Sequence, residues 1–254
     1  MILNALRHGS DDREAVVLLH SLALDAGVWQ SVIPLLEPQF RVVALDLRGH
    51  GNSPRSVEFT IEDMADDVAE TVASIGIDRA TVVGLSLGGC VAQSVAVRHP
   101  GSVHSLVLAD TTAWYGVDAL EAWEGRADRA RQQGLESLAG FQLRRWFSDS
   151  FRLGNGPLCD RLLATFRAND VDAYAAACRA LGRYDGRGEV ESIGVPTEIV
   201  VGEHDGATPP SDAHDLGARI PDSNVTVLAD AKHLTALECP DSLANAIKRA
   251  FDRA

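Results

Sequence analysis

The segment Thr81-Val82-Val83-Gly84-Leu85-Ser86-Leu87-Gly88-Gly89-Cys90 runs from a short β-branched stretch, through a serine held between glycines, into an apolar helix start. Gly84-Leu85-Ser86-Leu87-Gly88 fits G-x-S-x-G, in which a sharp strand-to-helix turn presents a serine hydroxyl at the rim of a sheet. The turn is too tight for a β-carbon two residues to either side of the serine. The helix N-terminus behind it offers free N–H groups and a positive dipole end to a developing oxyanion. Five residues with three fixed also fit an ordinary strand–turn–helix junction, so the partners decide. A serine hydroxyl needs a base to activate it and a carboxylate to orient that base. Asp205, in Gly202-Glu203-His204-Asp205-Gly206-Ala207-Thr208-Pro209, and His233, in Ala229-Asp230-Ala231-Lys232-His233-Leu234, are the candidates. Singly, Asp205 reads as a turn aspartate and His233 as a solvated loop histidine. Together, in the order nucleophile, acid, base, and each just past an apolar run, they read as a Ser–His–Asp triad.

Other groups rank lower. Asp110 also follows a strand and is the fallback acid. Glu203 sits two residues nearer its strand than Asp205 and points elsewhere. His204 and His214 read as surface or supporting groups, His50 as a loop residue, and His99 as a helix end. The expected oxyanion donors are the N–H of Leu87, next to the nucleophile, and the N–H of Leu22 in the loop His20-Ser21-Leu22-Ala23-Leu24-Asp25. No H-E-x-x-H or other metal spacing occurs, so neither metal nor cofactor is expected.

These residues need a scaffold. Glu14–His20, Arg41–Asp46, Thr81–Leu85 and Val103–Asp110 each hold a short apolar run, the pattern of strands buried on both faces. Helical spacing separates them: Val28, Trp29, Val32, Ile33, Leu35 and Leu36 first, then Ile61, Met64, Ala65, Val68, Val72 and Ile75 behind a capping-box sequence at Thr60–Asp63. Alternation of this kind predicts an α/β fold with a mostly parallel, doubly wound sheet and its site at the carboxyl ends of the strands. The rhythm breaks between 112 and 188, where only helical patterning occurs and three of the four tryptophans lie. That stretch reads as a helical lid, with 1–111 and 189–254 forming the core. The sheet resumes at Pro196–Gly202 and Asn224–Leu228, and a last helix carries Leu243, Ile247, Ala250 and Phe251.

At 254 residues with 46% hydrophobic content the chain can bury one large core, and its net charge of −13 argues against nucleic acid and anionic membranes as partners. A small molecule is the expected partner, and oligomeric state is not encoded in any visible pattern. No apolar run approaches the length of a membrane span, and no signal peptide is visible. Cys90, Cys159, Cys178 and Cys239 lack C-x-x-C spacing and read as free thiols, so a cytoplasmic location is expected.

His20-Ser21-Leu22, Asp46-Leu47-Arg48-Gly49-His50-Gly51-Asn52-Ser53, the Ser86 turn, Gly202-x-x-Asp205 and His233-Leu234 together resemble the α/β-hydrolase superfamily over nearly the whole chain. Ser21-Leu22, Arg145-Trp146-Phe147-Ser148 and His204-Asp205-Gly206-Ala207-Thr208-Pro209-Pro210 resemble its 3-oxoadipate enol-lactonases. Two residues depart from the pattern: Ser21 replaces the glycine of the common His-Gly pair, and Ala23 stands where the lactonases suggest glycine. The resemblance implies lactone hydrolysis through an acyl-enzyme, with Arg48, Arg144 or Arg145 reading a substrate carboxylate. It also implies a pocket built from Ser21, Trp114, Arg145 and Trp146. The alternatives on this fold are a C–C bond hydrolase of ring-cleavage products, a general esterase or haloperoxidase-like enzyme, and a non-catalytic small-ligand receptor.

Overall fold

A computed structural model describes residues 1–254. It contains seven strands: β1 (Ala5–His8), β2 (Ala15–Leu19), β3 (Arg41–Leu45), β4 (Ala80–Leu85), β5 (Val103–Ala109), β6 (Thr197–Gly202) and β7 (Ser223–Leu228). They form one sheet in the order β1-β3-β2-β4-β5-β6-β7, parallel throughout except for β1, which runs antiparallel to β3. The strands β2, β3, β4 and β6 are buried at every residue, as their unbroken apolar runs demand. The sequence reading missed β1. Its residues, Ala-Leu-Arg-His, are half-buried or exposed and carry no apolar run, and only pairing with β3 makes them a strand.

The register aligns the functional ends. Leu85 of β4 lies beside Ala109 of β5, Ala109 beside Val200 of β6, and Gly202 of β6 beside Leu228 of β7. The residues that follow each strand therefore leave the sheet along one rim.

Helices α1 (Ile33–Leu36), α2 (Ile61–Ser74) and α3 (Leu87–Arg98) connect the first strands. At the start of α2, the Thr60 hydroxyl accepts the Asp63 N–H while the Asp63 carboxylate accepts the Thr60 N–H, so the capping box is closed in both directions. Between β5 and β6 come five helices: α4 (Ala119–Gln133), α5 (Glu136–Trp146), α6 (Asp149–Gly154), α7 (Gly156–Ala168) and α8 (Val171–Arg183). The two ends of this insertion meet where Trp114 bridges Asp185 and the Gly186 N–H donates to the Ala113 carbonyl at 2.9 Å. Trp146, Phe147, Phe166 and Tyr174, on its inner side, join the same apolar core as the sheet. The chain ends with α9 (Pro210–Arg219), α10 (Thr235–Glu238) and α11 (Pro240–Asp252). All four cysteines are free, and no helix is long and apolar enough to cross a membrane.

Candidate active site

Ser86 sits at φ +55°, in the left-handed region that costs a side-chain-bearing residue energy. The turn is locked from several sides. Its N–H donates to the Ala109 carbonyl at 2.9 Å, and its own carbonyl accepts from Gly89 N–H at 2.8 Å and from the Thr111 hydroxyl at 2.8 Å. A β-carbon on Gly84 would meet the Gly88 carbonyl at 2.1 Å, and one on Gly88 would meet the Leu19 carbonyl at 2.2 Å. Those contacts account for both glycines of the motif.

Ser86 Oγ lies 2.9 Å from His233 Nε2, and His233 Nδ1 lies 2.7 Å from Asp205 Oδ2. A carboxylate only accepts, so Nδ1 carries the proton and Nε2 is left to accept from the serine hydroxyl. Asp205 also accepts the N–H groups of Ala207 and Thr208 and the Thr208 hydroxyl. Burial favours the neutral acid there. The His233 imidazole and these hydrogen bonds outweigh it and hold Asp205 below the ordinary carboxylate value.

Asp110 does not reach the imidazole. Buried and held at φ +47°, it accepts from Gly202 N–H at 3.1 Å, Thr235 N–H at 3.0 Å and the Thr235 hydroxyl at 2.7 Å. It thus ties the start of the Asp205 loop to the end of the His233 loop. Burial and the neighbouring Asp205 charge push its carboxyl well above the ordinary value.

The Leu22 N–H has no partner in the protein, and Leu87 opens α3, where N–H groups lack intrahelical acceptors. The Leu22 loop is held by the Gly88 N–H, which donates to the His20 carbonyl at 3.1 Å, and by Asn169, whose amide donates to the Ala23 carbonyl at 2.8 Å. Ala23 adopts φ +61°, a conformation glycine takes more easily. His20 donates from Nδ1 to the Ser21 carbonyl and accepts the Leu47 N–H on Nε2, joining this loop to the one after β3.

Ser86, His233, Ser21 and Leu22 form the floor of a partly open cavity of about 340 Å³. Its roof comes from the insertion: Tyr115, Trp123, Arg126, Gln142, Arg145 and Trp146. Arg126 donates to the Tyr174 hydroxyl and stacks on Trp123, and Arg145 stacks on Phe141. Neither arginine forms an ion pair. Burial and the neighbouring Arg126 charge push the Arg145 guanidinium below its usual range. Gln142 is only 3% exposed, and its Oε1 has no partner. Roof and rim are joined at one corner, where Glu238 accepts the Ser148 N–H, the Ser148 hydroxyl and the Lys232 N–H, and the Trp146 carbonyl accepts the Leu234 N–H.

With this geometry in view, the family model described as alpha/beta hydrolase fold matches residues 14–240. The chain belongs to the α/β hydrolase family. This hydrolase is 31% identical to 3-oxoadipate enol-lactonase 1 of Acinetobacter baylyi, over 92% of its own length and 87% of the relative's. It is 30% identical to a pimeloyl-[acyl-carrier protein] methyl ester esterase of Aeromonas hydrophila, covering 92% of this chain and 93% of the esterase. The crystal structure of the enol-lactonase from Burkholderia xenovorans LB400 superposes with a TM-score of 0.93 at 30% identity, covering 98% of this chain and 96% of that one.

Two residues expected in the hydrolase pocket are elsewhere. Arg48 turns away from the rim to make a two-pronged ion pair with Asp67 of α2, at 2.6 and 2.9 Å. Trp114 lies at the neck of the insertion beneath the Arg187 guanidinium, 3.6 Å from its ring centre. Arg144 is exposed outside the cavity, while Ser21, Arg145 and Trp146 line it. The sequence reading passed over Arg126, Tyr115 and Gln142. Arg126 did leave a signal: it falls between Trp123 and Ala127 on the apolar stripe of α4. His50 lies in the loop after β3 and is buried there. His204 and His214 are exposed, and His99 closes α3, where it pairs with Asp66.

Proposed function

We propose that this chain is a serine hydrolase that opens a lactone or cleaves a carboxylic ester whose acyl side carries a second carboxylate, an enol-lactone being the best fit. The observation that carries the reading is the Ser86–His233–Asp205 chain opening into a cavity roofed by two arginines without acidic partners. Residues 112–188 act as a lid on a body formed by 1–111 and 189–254. His233 Nε2 takes the Ser86 proton as Oγ attacks the ring carbonyl, and Asp205 steadies the imidazolium through Nδ1–H. The Leu22 and Leu87 N–H groups hold the tetrahedral oxyanion. Collapse breaks the ring C–O bond, His233 returns the proton, and the released enol tautomerises to a ketone still tethered as the acyl-enzyme. A water that gives its proton to the same imidazole then attacks the ester carbonyl and frees Ser86.

Arg126 and Arg145 suit the free carboxylate, because a planar guanidinium with no protein acid matches two carboxylate oxygens. The enol-lactonases and the methyl ester esterase among the relatives support cleavage of a carboxylic ester bond. The test is to incubate the protein with an enol-lactone, a simple methyl ester and a vinylogous diketone. Turnover of the enol-lactone, abolished in Ser86→Ala, is the expected result, and turnover of the diketone alone would overturn it.

A further inference from the structure

Most arginines near the surface of this protein are neutralised: Arg98 by Asp66, Arg167 by Glu136, Arg179 by Glu124 and Arg219 by Asp215. Among the arginines and lysines that form no ion pair, which also include Arg7, Arg13, Arg79, Arg129, Arg161, Arg183 and Lys248, four lie along one route. Arg126 and Arg145 are in the roof of the cavity. Arg144 and Lys232 lie just outside it, and the Lys232 ammonium meets only the Arg144 carbonyl, at 3.0 Å.

A surface depression of about 640 Å³ opens between α5 and the Asp205 loop, lined by Phe141, Arg144, Arg145, His204, Gly206 and Lys232. It shares one lining residue with the cavity, Arg145, and neighbouring residues face the two spaces. Phe141 faces the depression and Gln142 the cavity; Gly206 faces the depression and Ala207 the cavity; Arg145 lines both. Phe141 is 48% exposed and carries the Arg145 guanidinium over its ring at 5.6 Å. A β-carbon on Gly206 would meet nothing within 4 Å, so that wall is open space.

Three acids lie nearby, and the Asp230 carboxylate sits within 4.8 Å of Glu203 and His204. Glu203 accepts the Asp230 N–H and faces His204, and Asp149 is paired with Arg152. The chain has a net charge of −13, with only two lysines, Lys232 and Lys248. At physiological salt, charges farther away than about 8 Å are largely screened. An anion at this mouth therefore feels the local cations more than the overall negative field.

We infer that this depression is the substrate entrance and that Arg144, Arg145 and Lys232 make it selective for small esters bearing a carboxylate. The anion passes from Arg144 and Lys232 at the rim to Arg145 at the boundary, and then to Arg126 inside. The inference rests on Ser86 being the nucleophile within.

The test compares a neutral ester, 4-nitrophenyl acetate, with an anionic one, mono-4-nitrophenyl succinate. In the wild type, kcat/KM for the anionic ester should fall about fivefold between 20 and 500 mM NaCl, while the neutral ester responds little. Arg144→Glu should lower the anionic-to-neutral kcat/KM ratio by about tenfold, through KM rather than kcat. Gly206→Phe fills the mouth and should lower kcat/KM for both esters at least fivefold, whereas Gly206→Ala should not. Thermal unfolding checks each fold, and Gly206→Leu replaces the Phe variant if that one is unstable. A ratio unchanged in Arg144→Glu, or full activity in a folded Gly206→Phe, overturns the entrance. Wild type inert toward both esters, or active without Ser86, would instead sink the serine-hydrolase reading on which it rests.

Discussion

The rim of the sheet and the roof above it treat their polar groups in opposite ways. On the rim, Asp205 has four donors and Asp110 three, and His233 is bonded at both ring nitrogens. In the roof, Arg126 and Arg145 face the cavity without a carboxylate, and Gln142 Oε1 has no partner although it is buried. Buried polar groups are ordinarily satisfied, so such a cluster of unmet valences is informative. The rim is finished as protein and ready to move a proton between fixed partners. The roof keeps guanidinium donors and an amide acceptor without protein partners.

Breaking the rim should cost most. Ser86→Ala is expected to lower kcat by about 10⁶-fold with the fold intact, and residual activity within tenfold of wild type contradicts the assignment. Asp205→Asn should cost about 10⁴-fold, because the amide cannot accept the Nδ1 proton in the same way. Asp110→Asn removes a tie between two loops rather than a partner of the imidazole, so about 10²-fold is expected. A reversal of those two effects in steady-state kinetics would exchange their roles.

Changes in the roof should be smaller and specific to the substrate. Arg126→Gln with Arg145→Gln should raise KM for a carboxylate-bearing ester by about 10–100-fold, while neutral-ester KM moves less than threefold. Equal losses on both substrates would mean that the arginines only hold the roof together.

The smallest effect concerns stability beneath the rim. His50 donates from Nδ1 to the Arg48 carbonyl, and its Nε2 is buried without a partner. Burial, and then the neighbouring His20, push it down to about 3. Above pH 6.5 it is neutral whether folded or unfolded and contributes nothing to pH dependence. Below pH 6.5 the unfolded chain binds a proton that the folded chain refuses until about pH 3. Stability should therefore fall on acidification through that window, by about 1.4 kcal/mol per pH unit for this one group. Urea midpoints at pH 7.5 and 5.5 measure it, and His50→Gln should flatten the slope.

How much was visible beforehand follows the same division. Strands buried on both faces advertise themselves as apolar runs, and Ser86 and Asp205 each lie just past one; His233 follows the half-exposed edge strand β7, whose Val225, Val227 and Leu228 still mark it, so the rim was legible from local pattern. The roof was not. Whether an arginine is free or paired depends on a residue far away in the chain: Arg48 finds Asp67, while Arg145 finds none. Arg126 sits among Glu124, Asp128 and Arg129, a surrounding that reads as a solvated face until its place on the stripe with Trp123 and Ala130 is noticed. For β1, the pairing with β3 supplies what its own four residues lack.

The clasp at Glu238 carries one more consequence. A single carboxylate grips Ser148 of the insertion and the backbone just ahead of His233. Any swing that carried that corner outward would slacken the imidazole as well, so the enzyme would be unarmed whenever that corner stood ajar. Travel of the roof is therefore best sought at its far end, near the Asn169–Ala23 contact, with the Ser148 corner serving as the fixed pivot.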